Sequence, residues 1–330
     1  MQRPLDVVTL GHAIVDVLSP SEDALVESFG LAKGTMTLID HEDAEKIYSR
    51  LGPSTEMSGG SAANTAACLA SLGASVEFVG TVRDDTLGTV FCHDIRAAGV
   101  RFSRPPRRDG PGTGRCLIMV TPDAEKTMCT SLGIGAHLGS ADIDTGVVAG
   151  ARVLYLEGYL CGLPESDGGV EAAVTAAREA GTLVSLSLSD PLWVELHGDA
   201  LDSLLDRVDI LFANEQEACG ITGTTDVHAA VAALGRRCPT VTVTRGPLGS
   251  ITAAGGEVAE VPAVAVESLR DTTGAGDSYA AGFLDGVVRG ADPERCARMG
   301  TLAAAEVVSH FGARPLASLS ALMEKAGLLS

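Results

Sequence analysis

The sequence predicts an α/β protein in which a mostly parallel sheet is covered by helices on both faces. Short apolar runs rich in β-formers alternate with longer Ala-rich stretches that have helical spacing. This alternation is typical of parallel strands joined by crossover helices. The chain has 330 residues, of which 45% are hydrophobic, so it can bury a large core. The predicted strands are residues 7–11, 76–79, 153–156, 183–188, 210–213 and 240–244, and the predicted helices are residues 61–72, 167–180, 200–206, 225–237, 277–289 and 293–309.

Two segments, residues 15–45 and 110–133, interrupt this alternation and read as short strands around turns. Segments of this kind, inserted into an α/β core, can pair into a small second sheet that covers a cleft. The sequence therefore predicts a main α/β domain of residues 1–14, 46–109 and 134–330, and a small β lid made of the two segments. A pair of long decorated loops is the alternative.

The composition argues against several classes of function. Lys and Arg number 24 against 43 Asp and Glu, and the net charge of −19 repels nucleic acids and anionic membranes, so neither is an expected partner. The eight Cys form no C-x-x-C pair and no metal spacing with His, which predicts buried thiols in a reducing compartment. The sequence shows no signal-peptide pattern and no run of 18 apolar residues, so a cytoplasmic location is expected. It also contains no G-x-x-x-x-G-K-[ST], G-x-S-x-G or H-E-x-x-H motif.

The sharpest local motif is D-T-T-G-A-G-D at residues 271–277, directly before the helical run S-Y-A-A-G-F. Gly274 and Gly276 can adopt positive φ, so that successive N–H groups converge where a helix begins and hold an anion. A carboxylate at Asp277 would then lie beside a bound phosphate and could accept a hydroxyl proton. A helix cap and a first-turn acid around a flexible loop are the alternative.

Further candidates follow predicted strands or begin helices, where open α/β sheets bind their ligands. Asp16 follows the first strand, and S-G-G-S-A-A-N at residues 58–64 combines small residues with an amide that can bond sugar hydroxyls. N-E-Q-E at residues 214–217 offers oxygens for Mg²⁺ held through waters. T-R-G-P-L-G at residues 244–249 could wrap a nucleotide. Tight helix packing, an ordinary helix start and a hairpin turn are the respective alternatives for these three motifs.

Taken in order with G-H-A-I-V-D at residues 11–16, these motifs resemble the ribokinase-like, PfkB-type carbohydrate kinase family over nearly the whole chain. The stretches at residues 30–40, 185–191 and 209–215 are similar to its bacterial adenosine kinase branch. The resemblance implies a three-layer α/β/α sandwich with a β lid. It also implies phosphorylation of the 5′-hydroxyl of a ribonucleoside, with ATP, Mg²⁺ and K⁺ as cofactors.

The resemblance further implies roles for individual residues. The lid would close over the reaction and exclude water, with Lys126 over the phosphates; a solvated hairpin lysine is the alternative. For Met36, Leu38 and Tyr159, which the resemblance assigns to a nucleobase pocket, core packing is the alternative. The implied roles are general base for Asp277; anion hole for Gly274, Ala275 and Gly276; ribose binding for Asp16, Gly60 and Asn64; nucleobase pocket for Met36, Leu38 and Tyr159; Mg²⁺ and phosphate for Asn214 and Glu217; ATP loop for Thr244, Gly246 and Gly249; and monovalent cation for Asp271 and Thr273.

One residue departs from the adenosine kinase pattern. His12 stands where such kinases commonly have an Asn that touches the nucleoside, and a His replaces those hydrogen bonds only in part. Guanosine, inosine, cytidine, a modified nucleoside and a plain sugar such as ribose or fructose are therefore open as acceptors. A non-catalytic nucleotide sensor is the alternative outside enzymes, and the intact loop with Asp277 argues against it. Both a monomer and a homodimer are compatible with the sequence.

Overall fold

The computed structural model describes residues 3–123, 125–163, 166 and 168–329. Within these residues the strands form two separate sheets, one of eight strands and one of five. In chain order the strands are β1 (Leu5–Leu10), β2 (Ile14–Pro20), β3 (Met36–Leu38), β4 (Thr55–Gly59), β5 (Val76–Val79), β6 (Gly114–Val120), β7 (Lys126–Ser131), β8 (Ala151–Glu157), β9 (Leu183–Ser187), β10 (Ile210–Asn214), β11 (Thr240–Thr244), β12 (Ser250–Ala254) and β13 (Glu257–Val261).

Most of the α-helices begin at a short polar side chain that accepts a hydrogen bond from the first turn. Asp190 and Asp292, for example, cap helices that have Pro in the first turn, where a missing N–H costs nothing. The helices are α1 (Asp23–Ser28), α2 (His41–Tyr48), α3 (Ser61–Ser71), α4 (Thr86–Ala97), α5 (Thr145–Ala149), α6 (Gly169–Ala180), α7 (Pro191–Leu205), α8 (Glu215–Thr222), α9 (Val227–Leu234), α10 (Ala275–Arg289), α11 (Pro293–Val307) and α12 (Leu319–Lys325).

The large sheet is mostly parallel and carries helices on both faces, as the alternation in the sequence predicted. Its order is β13-β12-β11-β10-β9-β8-β1-β5, and only the hairpin from β11 to β13 is antiparallel. Neighbouring residues of a strand point to opposite faces: Val7 and Val153 pack under α3, α10 and α11, whereas Val8 and Leu154 pack under α6, α7 and α9. The result is a three-layer α/β/α sandwich.

The small sheet has the order β3-β7-β6-β2-β4. Four of its strands come from residues 14–38 and 114–131, close to the two segments from which the sequence predicts a lid. The fifth strand, β4, lies outside those segments and pairs antiparallel with β2, from Ile14 opposite Gly59 to Leu18 opposite Thr55. Its sequence, T-E-M-S-G, is too polar to be recognised as a strand without its partner.

Several elements differ from the sequence prediction. The helix expected at residues 200–206 is the second half of α7, which continues across a non-helical His197. The helices α2, α4 and α12, the strand β12 and the edge strand β13 were not predicted, because their polar residues hide the apolar periodicity. The predicted first residue of α6, Asp167, lies outside the described residues.

All eight Cys are unpaired, and seven are buried, as expected. Within the described part of the chain, no helix is long and apolar enough to cross a bilayer.

Candidate active site

The loop before α10 leaves N–H groups free at a helix start. Gly274 caps the helix at φ 77°, and a Cβ there would lie 2.6 Å from the Ala313 carbonyl, so only Gly fits. Gly276, in contrast to the prediction, lies inside the helix and does not have positive φ. The Ala275 N–H donates to the Thr272 carbonyl (3.2 Å), so the expected anion donor is already used. Among the described residues, the N–H groups of Gly274, Gly276 and Asp277 meet no acceptor, and they can face an anion.

Asp277 lies in the first turn of α10 and joins it to the start of α3. Its Oδ1 accepts from Ser61 Oγ (2.6 Å) and its Oδ2 from Asn64 Nδ2 (3.3 Å). Burial raises the pKa of Asp277 to about 6, and the charge of Glu157 adds to the rise, while Ser61, Asn64 and Arg314 oppose it. A carboxylate that titrates near neutral pH is suited to accept a proton from an alcohol.

The turn between β4 and α3 brings the S-G-G-S-A-A-N motif to this carboxylate. Gly60 has φ 94°, and a Cβ at this position would lie 2.3 Å from the His12 carbonyl oxygen. The motif therefore does provide tight packing, which was its alternative reading. It also positions Ser61 and Asn64 on the first turn of α3 to face Asp277.

Asp16 places the small sheet near the same groups. It lies on β2, is half-buried, and burial raises its pKa to about 7, with Arg314 and Lys126 opposing the rise and Asp277 adding to it. The charges of Asp277, Arg314 and Lys126 therefore all act on Asp16.

A lysine of the small sheet is bound to the loop before α10. Lys126 on β7 donates to Asp271 Oδ2 (2.5 Å), which also accepts from the Gly312 N–H (3.0 Å). Asp271 Oδ1 accepts from the N–H and the hydroxyl of Thr273. Burial would raise the pKa of Asp271, but Lys126 and these donors outweigh it and lower the pKa to about 2. Lys126 is thus not a solvated hairpin residue.

The face of the small sheet that carries Asp16 and Lys126 is mostly apolar. Residues opposite one another in neighbouring strands point to the same side, and Met36 and Leu38 lie opposite Met128 and Thr130. The same register extends the face through β6 to β2. Because Lys126 reaches Asp271, this face is turned toward the main domain. Its apolar members include Ile14, Leu18, Met36, Leu38, Cys116, Ile118, Val120 and Met128.

His12 is held by a buried acid that the sequence reading missed. Glu157, 1% exposed, accepts from His12 Nδ1 (2.5 Å), from the His12 N–H (2.7 Å) and from the Ala62 N–H (2.8 Å). An acid at the end of the apolar strand β8, where α/β sheets bind ligands, was the available signal. Because Nδ1 donates its hydrogen bond to this carboxylate, Nε2 is the ring nitrogen left free, and it is buried without a partner among the described residues.

The residues predicted to bind ATP and Mg²⁺ lie at the start of a helix and at a hairpin turn. Asn214 and Glu217 form a reciprocal capping box on α8, which is the ordinary helix start named as the alternative. Burial raises the pKa of Glu217 to about 7. Thr244 ends β11, and Gly246 and Gly249 lie in the turn to the antiparallel β12, the alternative given for that motif.

The three residues predicted for a nucleobase pocket lie on different elements. Met36 and Leu38 belong to the apolar lid face, and Leu38 is exposed. Tyr159 follows β8 and packs edge-on against Trp193, with 5.5 Å between ring centroids. Burial raises the pKa of Tyr159, and the charges of Asp190, Asp277 and Glu157 add to the rise.

Comparisons with known proteins find relatives along nearly the whole chain. The model of the family described as pfkB family carbohydrate kinase matches residues 11–319. The structure of a probable sugar kinase from Rhizobium etli CFN 42 is 41% identical, covers 100% of both chains and superposes with a TM-score of 0.92. The structure of adenosine kinase from Sinorhizobium meliloti is 43% identical, covers 98% of this chain and 99% of its own, and has a TM-score of 0.91. Adenosine kinase from Dictyostelium discoideum is 26% identical over 95% of this chain and 97% of its own length.

Proposed function

Because this chain belongs to the pfkB family of carbohydrate kinases and transfers phosphate to a hydroxyl group, we propose that its acceptor is the 5′-hydroxyl of a ribonucleoside. The observation that carries this proposal is the mostly apolar face of the small sheet, which is turned toward the main domain that carries Asp277. A free sugar offers hydroxyls all round and gains little from such a face, whereas a nucleobase offers a flat apolar surface.

Polar groups lie on this face, at Asp16, and in the main domain, at Asn64 and His12, where the ribose would bind. Asp16 and Asn64 can bond its hydroxyls, and the free Nε2 of His12 supplies one further hydrogen-bonding atom. These groups would hold the 5′-hydroxyl within reach of Asp277. The carboxylate then takes the hydroxyl proton as the oxygen attacks the γ-phosphate of ATP.

The start of α10 would stabilise the charge that builds on the transferred phosphoryl group. The free N–H groups of Gly274, Gly276 and Asp277 point from a helix N-terminus, which adds a favourable dipole. We propose that the small sheet acts as a lid, and that Lys126 exchanges Asp271 for the phosphates when ATP binds. Closure of the lid would exclude water from the reaction.

The cofactors implied by this reaction are ATP and Mg²⁺. Among the described residues no group of three His, Cys, Asp or Glu side chains could enclose a metal ion. This fits an Mg²⁺ ion that takes most of its ligands from ATP and water, with Glu217 holding one of the waters. The metal would neutralise phosphate charge. The side chains of Asp271 and Thr273 bond to each other, and Asp271 also bonds Lys126, so they leave little capacity for K⁺ in this arrangement.

A panel of acceptors tests the proposal. With ATP and Mg²⁺, we expect kcat/KM for at least one ribonucleoside among adenosine, guanosine, inosine and cytidine to exceed that for ribose and fructose by at least about a hundredfold, since the base adds apolar burial. ADP release by a coupled assay measures each rate. Higher kcat/KM for a free sugar would make the chain a sugar kinase, like the probable Rhizobium relative. Binding without turnover of any acceptor would indicate a nucleotide sensor.

A further inference from the structure

A half-buried arginine, which the sequence reading did not single out, lies among the polar groups near Asp277. Arg314 follows α11, and its Nη1 donates to Ser58 Oγ (2.6 Å) while its Nε donates to Asn64 Oδ1 (3.2 Å). Its Nη2 is buried and has no partner among the described residues. The guanidinium thus connects β4, at the edge of the lid sheet, to α3 in the main domain.

Asn64 lies between a group that can only donate and a group that can only accept. A guanidinium has no acceptor, and an ionised carboxylate has no donor. The Asn64 amide satisfies both only when its Oδ1 faces Arg314 and its Nδ2 faces Asp277. Arg314 therefore fixes the orientation of the amide that bonds the catalytic carboxylate, and it leaves the second Nδ2 hydrogen for an acceptor hydroxyl.

Arg314 also supplies positive charge to a cleft rich in acids. Asp277 is faced by Ser61 and Asn64 from α3, by Glu157 from the end of β8 and by Arg314, and it interacts with Asp16 on β2. Both other acids disfavour ionisation of Asp277, and Arg314 favours it. Burial lowers the pKa of Arg314, while Asp16 and Asp277 raise it, and a guanidinium keeps its proton in proteins.

We propose that Arg314 is a positioning residue for phosphoryl transfer, which orients the Asn64 amide and keeps Asp277 ionised at neutral pH. This proposal rests on the role of Asp277 as the base. No motif of the sequence assigns Arg314 a role. Its partner Asn64 lies 250 residues earlier in the chain, so a local pattern cannot indicate the contact.

The test is the pH dependence of kcat/KM for the best acceptor of the panel. In the wild-type chain a general base must be ionised, so the rate should fall as the pH drops through the range of about 6 to 7 set by Asp277 and Asp16. This fall is the acidic limb of the pH profile. In Arg314→Gln the acidic limb should move to higher pH by roughly one unit, because a nearby positive charge is lost. Arg314→Lys keeps the charge but not both bonds, so its limb should move less while its acceptor KM rises.

Controls make each outcome decisive. Arg298→Gln removes an exposed arginine of α11 and should leave the limb in place. A folded Arg314→Gln variant whose limb coincides with that of the wild type overturns the proposal. Should that variant fail to fold in a thermal melt, Arg314→Lys decides: a raised acceptor KM supports the proposal, and an unchanged KM overturns it. Wild-type turnover in Asp277→Asn would instead remove the base on which the proposal rests.

Discussion

Replacing Asp277 with Asn should lower kcat by at least about a hundredfold, because the variant keeps the shape of the side chain but cannot accept the hydroxyl proton. The carboxylate is the point where the N-terminus of α10 meets α3, through Ser61 and Asn64. Since both neighbours donate to it, an amide would also lose part of this contact. The measurement is steady-state ADP release at saturating ATP and acceptor.

Asp285→Asn is the matched control for this variant. Asp285 lies on the same helix, is 1% exposed, and accepts from Arg289 Nε at 2.7 Å, but it has no contact with the cleft groups described above. Its loss should lower the melting temperature and leave kcat within about threefold of the wild type. Near-normal turnover in a folded Asp277→Asn variant would show that another group takes the proton.

Replacing Gly274 with Ala should lower kcat by roughly a hundredfold, which is the typical cost of losing an anion-hole donor. The new Cβ would lie 2.6 Å from the Ala313 carbonyl oxygen and 2.7 Å from the Ala313 Cβ, and both belong to the segment that positions Arg314. The loop must move to relieve this overlap. The N–H groups at the start of α10 then no longer point at the transferred phosphoryl group, while acceptor binding by the small sheet is preserved. Steady-state kinetics should show the loss in kcat rather than in acceptor KM.

Gly290→Ala separates this effect from backbone strain. Gly290 ends the same helix at φ 77°, the value found at Gly274, but a Cβ there meets nothing within 4 Å. Both variants should lose about 1–2 kcal/mol of stability from the left-handed backbone conformation. Only Gly274→Ala should lose activity. Equal activity in the two variants would mean that the loop before α10 does not bind the transferred phosphate.

The central sheet was predictable because its strands are continuous apolar runs between helices. β8, for example, reads A-R-V-L-Y-L-E and is buried on both faces. β4 was not predictable, because its polar sequence becomes a strand only through pairing with β2. The edge strand β13, E-V-A-E-V, is largely exposed and carries little apolar signal. Elements that depend on a partner distant in sequence leave few local traces.

The same distinction applies to the site. The loop with Gly274 and Asp277 is a local motif, and the sequence indicated both an anion-binding turn and an adjacent acid. The contacts of Glu157 with His12, and of Arg314 with Asn64, join residues 145 and 250 positions apart, so local patterns give no indication of them. The free N–H groups also differ from the expected set, because the Ala275 N–H turns back to the Thr272 carbonyl.

A crystal structure of the wild-type chain with a non-hydrolysable ATP analogue and its best ribonucleoside tests the central claim most directly. We expect the 5′-hydroxyl oxygen to lie within about 3.2 Å of an Asp277 carboxylate oxygen, as proton transfer requires. The terminal phosphate should accept from the N–H groups of Gly276 and Asp277. A 5′-hydroxyl directed away from Asp277, or a terminal phosphate bound outside the start of α10, would contradict the account.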